Sequence, residues 1–160
     1  MYFTLIYKNL NNNQKNKISA FIKKNFNIAL DNLLGLEPNT IIIIDCEDNI
    51  IKGCVCLLNN IILKNKLIKN NISLNYYNIN KTDGLFLYNL CVDEKYRNKK
   101  IGNELINLCI DFIKTYKFDY VHCQSENDIS KSLFLKNGFM EDTSFIGSNN
   151  KNIYIMTKYI

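Results

Sequence analysis

The sequence has one histidine, one arginine, no tryptophan and no C-x-x-C pair. Because His122 is the only histidine and the six cysteines are scattered through apolar segments, we expect neither a metal site nor a disulfide framework. No apolar run reaches the about 18 residues that a membrane span needs, and no basic segment precedes the short apolar stretch at the start of the chain. These absences predict a cytoplasmic protein with free thiols and no membrane partner.

The charged residues are mixed along the chain and form no basic tail. The formal net charge is +5, and 15 carboxylates are interspersed among the 20 lysine and arginine residues. This pattern does not predict a nucleic-acid partner, although it allows an anionic ligand. A hydrophobic fraction of 47% in a chain of 160 residues predicts that residues 1–160 fold as one domain.

Apolar periodicity and turn residues predict a mixed α/β (α+β) fold. We expect strands at residues 2–7, 41–46, 50–58, 84–92, 120–125, 140–146 and 153–159. We expect helices at 14–26, in a short segment ending at Gly35, at 101–116 with Ile101, Leu105, Cys109, Phe112, Ile113 and Tyr116 on one face, and from Asn127 or Asp128 to Lys136. Gly138 fits the left-handed position after the last helix, with Phe139 packing back onto it. Residues 59–83, rich in Asn and Lys, are expected to form an extended strand that runs into an irregular loop.

The loop between Val92 and Ile101 has the features of an anion site. The first turn of a helix presents backbone N–H groups without intrahelical partners, and the helix dipole favours negative charge there. Arg97 and three lysines lie in this loop, and Gly102 leaves room for a phosphate oxygen at the first turn. The charge pattern alone leaves open the alternative of a solvated basic loop.

Three segments resemble the motifs of one family, the acyl-CoA-dependent N-acetyltransferases of the GNAT superfamily. Residues 97–102 (RNKKIG) are similar to its pyrophosphate loop, Q/R-x-x-G-x-G/A, and residues 90–96 (LCVDEKY) to its L-x-V-x-P-x-Y strand and turn. Residues 127–139 (NDISKSLFLKNGF) are similar to its N-x-x-A-x-x-L/F-Y/F-x-K-x-G-F block. The motifs occur in the family's order, and the resemblance covers essentially the whole chain.

The resemblance implies a fold, a co-substrate and a reaction. The fold is a mixed, mostly antiparallel sheet of six to seven strands, flanked by about four helices, with splayed central strands at 84–92 and 120–125. The co-substrate is acetyl-CoA, with no metal, and a primary amine attacks it directly without an acyl-enzyme. The implied cofactor-binding residues are Leu90, Cys91, Val92, Arg97, Asn98, Lys99, Lys100, Ile101, Gly102, Asn103, Asn127, Ser130, Phe134 and Lys136.

Two positions depart from the family pattern. Lys100 stands where the family usually has the first glycine of the loop, and we expect a right-handed helical backbone there, which accepts a Cβ atom. Phe134 stands where many members have a tyrosine that protonates the departing thiolate. Water can assist the departure of a CoA thiol, and Ser125, Ser132 and Tyr96 are alternative donors.

The resemblance also suggests a general base. Val121-His122-Cys123-Gln124 is similar to a strand of some protein N-terminal acetyltransferases that use a histidine there. We therefore expect His122 to titrate near neutrality and to accept the proton of the amine. Tyr88 could hold a water molecule with His122.

Several functions stay open at this point. The favoured acceptor is a peptide or protein N-terminal amine, and a small amine or a polyamine is the alternative. A CoA-binding module with little catalysis would explain Phe134 and Lys100, and a nucleic-acid binder could use the basic loop. The protein is expected to be a monomer or a homodimer.

Overall fold

The computed structural model describes residues 1–26, 35–79, 83–147 and 150–160. The helices in these ranges are α1 (Asn12–Asn25), α2 (Asn60–Lys69), α3 (Ile101–Thr115) and α4 (Asp128–Lys136). The strands are β1 (Tyr2–Ile6), β2 (Ile41–Glu47), β3 (Ile50–Asn59), β4 (Gly84–Val92), β5 (Tyr120–Ser125), β6 (Met140–Ile146) and β7 (Asn152–Tyr159). They form a seven-stranded mixed sheet in the order β1-β2-β3-β4-β5-β7-β6, which confirms the predicted fold class.

The chain groups into two compact units, and β4 contributes to both. One unit contains Met1–Leu58 and Tyr88–Cys109, and the other contains Asn59–Leu87 and Ile110–Ile160. The assignment of residues 1–160 to one domain stays a prediction.

The first unit is built on the predicted hairpin. β2 and β3 pair antiparallel around Asp48 and Asn49, which have left-handed backbones with φ of 49° and 64°. Two left-handed residues make a tight turn whose twist matches that of paired strands, and aspartate and asparagine tolerate this conformation well. β1 pairs antiparallel with β2, so β1, β2 and β3 lie side by side in this unit. Ile18, Phe21 and Ile22 are the buried residues of α1.

The strand β4 changes its pairing partner along its length. Its first residues, Gly84–Leu87, pair in parallel with Tyr120–Cys123 of β5. At its other end the N–H of Asp93, the residue after β4, donates to the carbonyl of Lys52 in β3 at 2.9 Å, and β3 and β4 are neighbours in the sheet. Between these segments Asn89 has a left-handed backbone with φ of 53°, which interrupts the regular strand.

The second unit pairs β5 with β7 and β7 with β6, both antiparallel. The register between β6 and β7 shifts between Glu141 and Thr143, so Asp142 is the extra residue of a β-bulge. Gly138 has a φ of +79° after α4, and the N–H of Phe139 donates to the carbonyl of Phe134 at 3.1 Å. The sequence prediction for the end of this helix is confirmed.

Three expectations on secondary structure need comment. The predicted strand and loop at 59–83 is wrong, because residues 60–69 form α2, which buries Leu63 and Leu67 one turn apart. Asn59 caps this helix by accepting a hydrogen bond from the N–H of Ile61 at 2.8 Å. Tyr116 lies beyond the end of α3 and is 63% exposed rather than part of the buried face. The predicted short helix before Gly35 falls on residues 27–34, outside the described residues.

Candidate functional site

The turn after β4 is fixed by Asp93, which is buried. Its carboxylate accepts hydrogen bonds from the ammonium of Lys24 in α1 at 2.6 Å and from the N–H of Lys95 at 3.1 Å. The hydrogen bond from Lys24 is the main cause that holds the pKa of Asp93 below its usual value. A short 3₁₀ turn at Glu94–Tyr96 follows, and it orients the chain for the basic loop.

The basic loop between this turn and α3 has an irregular backbone. Asn98 and Lys100 are both left-handed, with φ of 62° and 63°. The expected right-handed backbone at Lys100 is therefore wrong: the loop keeps the conformation that suits glycine and places a lysine in it. A left-handed residue next to a right-handed helical one forms a concavity of backbone N–H groups, which binds anions. Lys100 directly precedes Ile101, the first residue of α3, and therefore has this geometry.

The side chains of the loop add positive charge around this backbone. Arg97 is exposed, and its Nε–H donates to the carbonyl of Val92 at 3.4 Å, so the arginine lies along the end of β4. The ammonium groups of Lys52 and Lys99 lie 5.4 Å and 5.3 Å from the centre of the Tyr96 ring. The first α-helical bond joins the N–H of Glu104 to the carbonyl of Lys100 at 3.0 Å. The backbone N–H groups of Ile101, Gly102 and Asn103 therefore precede the helical ladder.

The predicted residues of β4 lie just before this loop. Leu90 and Val92 are half-buried, and Cys91 is buried. Tyr88 is buried, and its hydroxyl lies 3.1 Å from the hydroxyl of Thr40. Burial raises the pKa of Tyr88 above its usual range, so the phenol is neutral at physiological pH.

The cysteines are free thiols, as predicted. Five of the six are buried, and Cys46 is half-buried. A hydrogen bond with Cys56 and burial raise the pKa of Cys54 well above its usual value, and burial raises that of Cys109. A neutral buried thiol is a poor nucleophile, which agrees with an expected reaction that uses no cysteine.

The start of α4 brings Asn127 and Ser130 together. The side-chain carbonyl of Asn127 accepts from the N–H of Ser130 at 2.8 Å, so Asn127 is the helix cap. The hydroxyls of Ser130 and the buried Ser125 are 2.5 Å apart. Phe134 is 2% exposed and packs on Phe139 with ring centres 5.1 Å apart, whereas Lys136 is exposed. The position of the missing tyrosine is thus filled by a core residue without a proton donor.

His122 lies in a buried polar cluster of the second unit. Its Nε2 is 2.8 Å from the side-chain carbonyl of Asn60, the first residue of α2. The amide nitrogen of Asn60 donates to the hydroxyl of Tyr120 at 2.7 Å, and this hydroxyl donates to the main-chain carbonyl of Asn78 at 2.8 Å. The amide nitrogen of Asn78 in turn donates to the hydroxyl of Thr157 at 3.1 Å, and Thr157 pairs with His122 across the sheet.

The protonation state of His122 differs from the expectation. The side chain is 0% exposed, and burial lowers the pKa of His122 to about 3. The expected titration near neutrality is therefore wrong, because a buried imidazolium loses its hydration. The second ring nitrogen, Nδ1, is buried and has no hydrogen-bond partner among the described residues. His122 is a neutral imidazole with one unused lone pair.

This burial predicts a loss of stability in acid. An unfolded chain protonates His122 below about pH 6.5, whereas the folded chain does so only near pH 3. The free energy of unfolding should therefore fall by about 1.4 kcal/mol per pH unit as the pH drops from 6.5 towards 4. Urea unfolding of the wild type and of His122→Gln at several pH values measures this effect. Other groups such as Asp93 contribute equally to the pH dependence of both proteins, so the difference between the two slopes is the contribution of His122. Equal pH slopes in the two proteins would contradict the buried neutral state.

The sequence did not reveal the partners of His122. Asn60, Asn78, Tyr120 and Thr157 carry no motif, and asparagine is so common in this chain that Asn60 and Asn78 are not conspicuous. The prediction of an extended strand at residues 59–83 gives no reason to place Asn60 beside His122. The one usable signal is the spacing of Tyr120 and His122, which places both side chains on one face of β5.

The structure offers two negative observations. In the ranges that the structure describes, no group of three or more His, Cys, Asp or Glu side chains is arranged to hold a metal ion. None of the helices described above is long and apolar enough to cross a membrane.

The fold is similar to those of several solved structures. An acyl-CoA N-acyltransferase from Pseudomonas aeruginosa has a TM-score of 0.76 at 10% identity, over 99% of this chain and 98% of that one. The NatC complex bound to Gag peptide and CoA gives 0.69 at 18% identity, over 100% and 98%. The ribosomal-protein-S18-alanine N-acetyltransferase from Escherichia coli gives 0.69 at 14% identity, over 100% and 94%. At these identities the likeness concerns the fold.

The sequence itself carries the family assignment. A search of curated proteins finds no match to this chain. The model of the acetyltransferase (GNAT) family matches residues 13–139, which include the basic loop, β5 and α4. The matched range covers most of the chain. The chain therefore belongs to the acetyltransferase (GNAT) family.

Proposed function

We propose that this protein transfers an acetyl group from acetyl-CoA to a primary amine, and that the amine is the N-terminal α-amine of a peptide or protein. The observation that carries the choice of acceptor is the burial of His122, which leaves a neutral and weakly basic imidazole. The left-handed basic loop before α3 supports the choice of co-substrate.

The loop fits the pyrophosphate of acetyl-CoA. Left-handed Asn98 and Lys100, together with the first N–H groups of α3, supply backbone donors, and Arg97 and Lys99 supply charge. Leu90, Cys91 and Val92 are proposed to bind the pantetheine arm, and Asn127, Ser130, Phe134 and Lys136 are also proposed to bind acetyl-CoA. Bound acetyl-CoA supplies an activated thioester, and the protein residues hold it and accept the proton of the amine.

The weak basicity of His122 favours amines that are already partly deprotonated. An N-terminal α-amine with a pKa of about 7.8 is about one third neutral at pH 7.5, whereas a lysine ε-amine with a pKa of about 10.4 is only about 0.1% neutral. A site without a strong base can therefore use an α-amine far better than a lysine side chain or a polyamine. Two proteins of similar fold, the NatC complex bound to Gag peptide and CoA and the ribosomal-protein-S18-alanine N-acetyltransferase, agree with this class of acceptor.

The first experiment is a thermal-melt titration with acetyl-CoA. Ligand at about 100 times its dissociation constant should add about 2.7 kcal/mol to the free energy of unfolding and raise Tm by roughly 5–10 °C. A panel of peptides with free and blocked N-termini, lysine analogues and polyamines then reports turnover. No shift at millimolar acetyl-CoA would contradict the co-substrate, and turnover confined to polyamines would contradict the acceptor.

One observation favours a second candidate, a CoA-binding module with little catalysis. Phe134 is buried against Phe139 and cannot protonate a departing thiolate. A saturable thermal shift without turnover on any amine of the panel would select this candidate over the acetyltransferase.

A further inference from the structure

The hydrogen bonds around His122 have a fixed direction. The main-chain carbonyl of Asn78 can only accept, so the Tyr120 hydroxyl uses its proton on that carbonyl. The Tyr120 oxygen is then an acceptor, and the partner that faces it on Asn60 must be the amide nitrogen. The other end of this amide, its carbonyl oxygen, therefore faces Nε2 of His122, and Nε2 must carry the proton.

The arrangement is held tightly by its surroundings. Asn60 is 2% exposed, Tyr120 1% and His122 0%. Gly84 lies against the first two: a Cβ atom at this position would be 2.4 Å from the Tyr120 ring and 2.5 Å from the Asn60 amide nitrogen. The ring of Phe86, which pairs with His122 across the sheet, lies 5.0 Å from the imidazole. The amide of Asn60 has little room to rotate in this packing.

We propose that Asn60 is a positioning residue that holds the His122 ring in the tautomer with its proton on Nε2 and leaves the Nδ1 lone pair as the proton acceptor. The inference deepens the proposed function and rests on it for the role of Nδ1. In the transfer, a C–N bond forms between the acceptor amine and the acetyl carbon, the C–S bond of the thioester breaks, and an N–H bond of the amine breaks as an Nδ1–H bond forms. The proton on Nε2 stays there and is donated to the Asn60 oxygen. The departing thiolate then takes the proton from Nδ1, which returns the imidazole to its neutral form.

The orphaned nitrogen supports this role independently. Buried polar atoms nearly always have a hydrogen-bond partner, and Nδ1 has none among the described residues. In the opposite tautomer Nδ1–H would be a buried donor without an acceptor, and two acceptors, Nε2 and the Asn60 oxygen, would face each other at 2.8 Å. Asn60 thus selects one tautomer because its side-chain oxygen can only accept a hydrogen bond, which requires the proton on Nε2.

The test uses the fact that the chain has one histidine. Protein labelled with ¹⁵N-histidine gives the signals of a single imidazole, and long-range ¹H–¹⁵N correlation spectra identify which nitrogen carries the proton. We expect the wild type to show only the Nε2–H form from pH 5 to 8. Asn60→Leu should introduce the Nδ1–H form and lower kcat about tenfold, with an unchanged KM for acetyl-CoA.

Two further variants separate positioning from folding. Asn60→Asp keeps an acceptor for Nε2–H and should therefore keep the Nε2–H tautomer of the wild type, in contrast to Asn60→Leu. Asn59→Ala removes the cap bond of α2 without touching His122, so it should lower Tm and leave the spectrum unchanged.

Two results would overturn the inference: a wild-type ring protonated on Nδ1, or a spectrum of Asn60→Leu identical to that of the wild type. If Asn60→Leu does not fold, the spectra of the wild type and of Asn60→Asp test the inference instead. Loss of the Nε2–H form in Asn60→Asp would then contradict the inference. A tautomer shift in Asn60→Leu combined with no acetyl transfer by the wild type supports the control of the ring and contradicts the proposed function.

Discussion

Replacing Gly102 with glutamate is expected to weaken acetyl-CoA binding at least about 100-fold, which corresponds to about 2.7 kcal/mol. Gly102 is the second residue of α3, two residues after the left-handed Lys100. A carboxylate there would occupy the space of a phosphate oxygen and repel its charge, and it would compete for the same backbone N–H groups. Isothermal titration with acetyl-CoA, or the thermal shift, measures the loss.

The fold itself should tolerate this change. Glycine is a poor helix former, and a negative charge in the first helical turn is favourable, so the free protein should be as stable as the wild type or slightly more. Gly102→Ala is the matched control, because it adds the methyl group without the charge and should bind acetyl-CoA more tightly than Gly102→Glu. Undiminished binding by Gly102→Glu would mean that the loop does not hold the pyrophosphate.

The loop also shows how far its sequence could be interpreted. The position of the loop, its positive charge and the start of α3 were all predictable, because each follows from the order of apolar, basic and glycine residues in the sequence. The backbone at Lys100 was not, because the expectation assumed that a side chain needs a right-handed backbone. The structure keeps the left-handed conformation and accepts its cost, of order 1 kcal/mol for a residue other than glycine. Local preference was overruled by the geometry of the loop.

Strong periodicity made most of the fold predictable. The strands of the hairpin, β4 and α3 have many apolar residues at regular spacing, and all were placed within about two residues of their ends. α2 was missed because only Leu63 and Leu67 mark its buried face, and the surrounding Asn and Lys residues suggested a loop. The error mattered for the site, since the first residue of α2, Asn60, is the hydrogen-bond partner of His122.

The chemistry of His122 could not be predicted from its residue type. A histidine in a strand is equally compatible with an exposed base and a buried neutral ring, and only the packing of Tyr120, Phe86 and Asn60 decides between them. The sequence motif predicted that His122 lies in a strand, whereas the tertiary structure determines its pKa. The same holds for Tyr88, whose proposed role stays a prediction while its hydroxyl is engaged by Thr40.

Replacing His122 with alanine is expected to lower kcat at least about 100-fold and to leave the KM for acetyl-CoA unchanged. The amine nitrogen becomes far more acidic once it is acylated, so a weak base with a lone pair at Nδ1 is sufficient to take its proton. Because the pKa of His122 is about 3, the imidazole does not titrate between pH 5 and 8. The acidic limb of kcat/KM should therefore follow the acceptor amine, near pH 7.8 for an α-amine, and should shift when the peptide is replaced by one whose terminal amine has another pKa.

The matched control for this variant is Cys123→Ala. Cys123 is the next residue of β5 and is 1% exposed, and its side chain lies on the opposite face of the strand, so its truncation perturbs the same sheet without removing the imidazole. Cys123→Ala should keep turnover near the wild-type value. If His122→Ala and Cys123→Ala lose the same share of kcat, the effect is one of packing and His122 is not the base. An acidic limb near pH 6.5 that stays fixed when the acceptor changes, and disappears in His122→Ala, would instead show an imidazole that titrates in the working enzyme, against the buried neutral state.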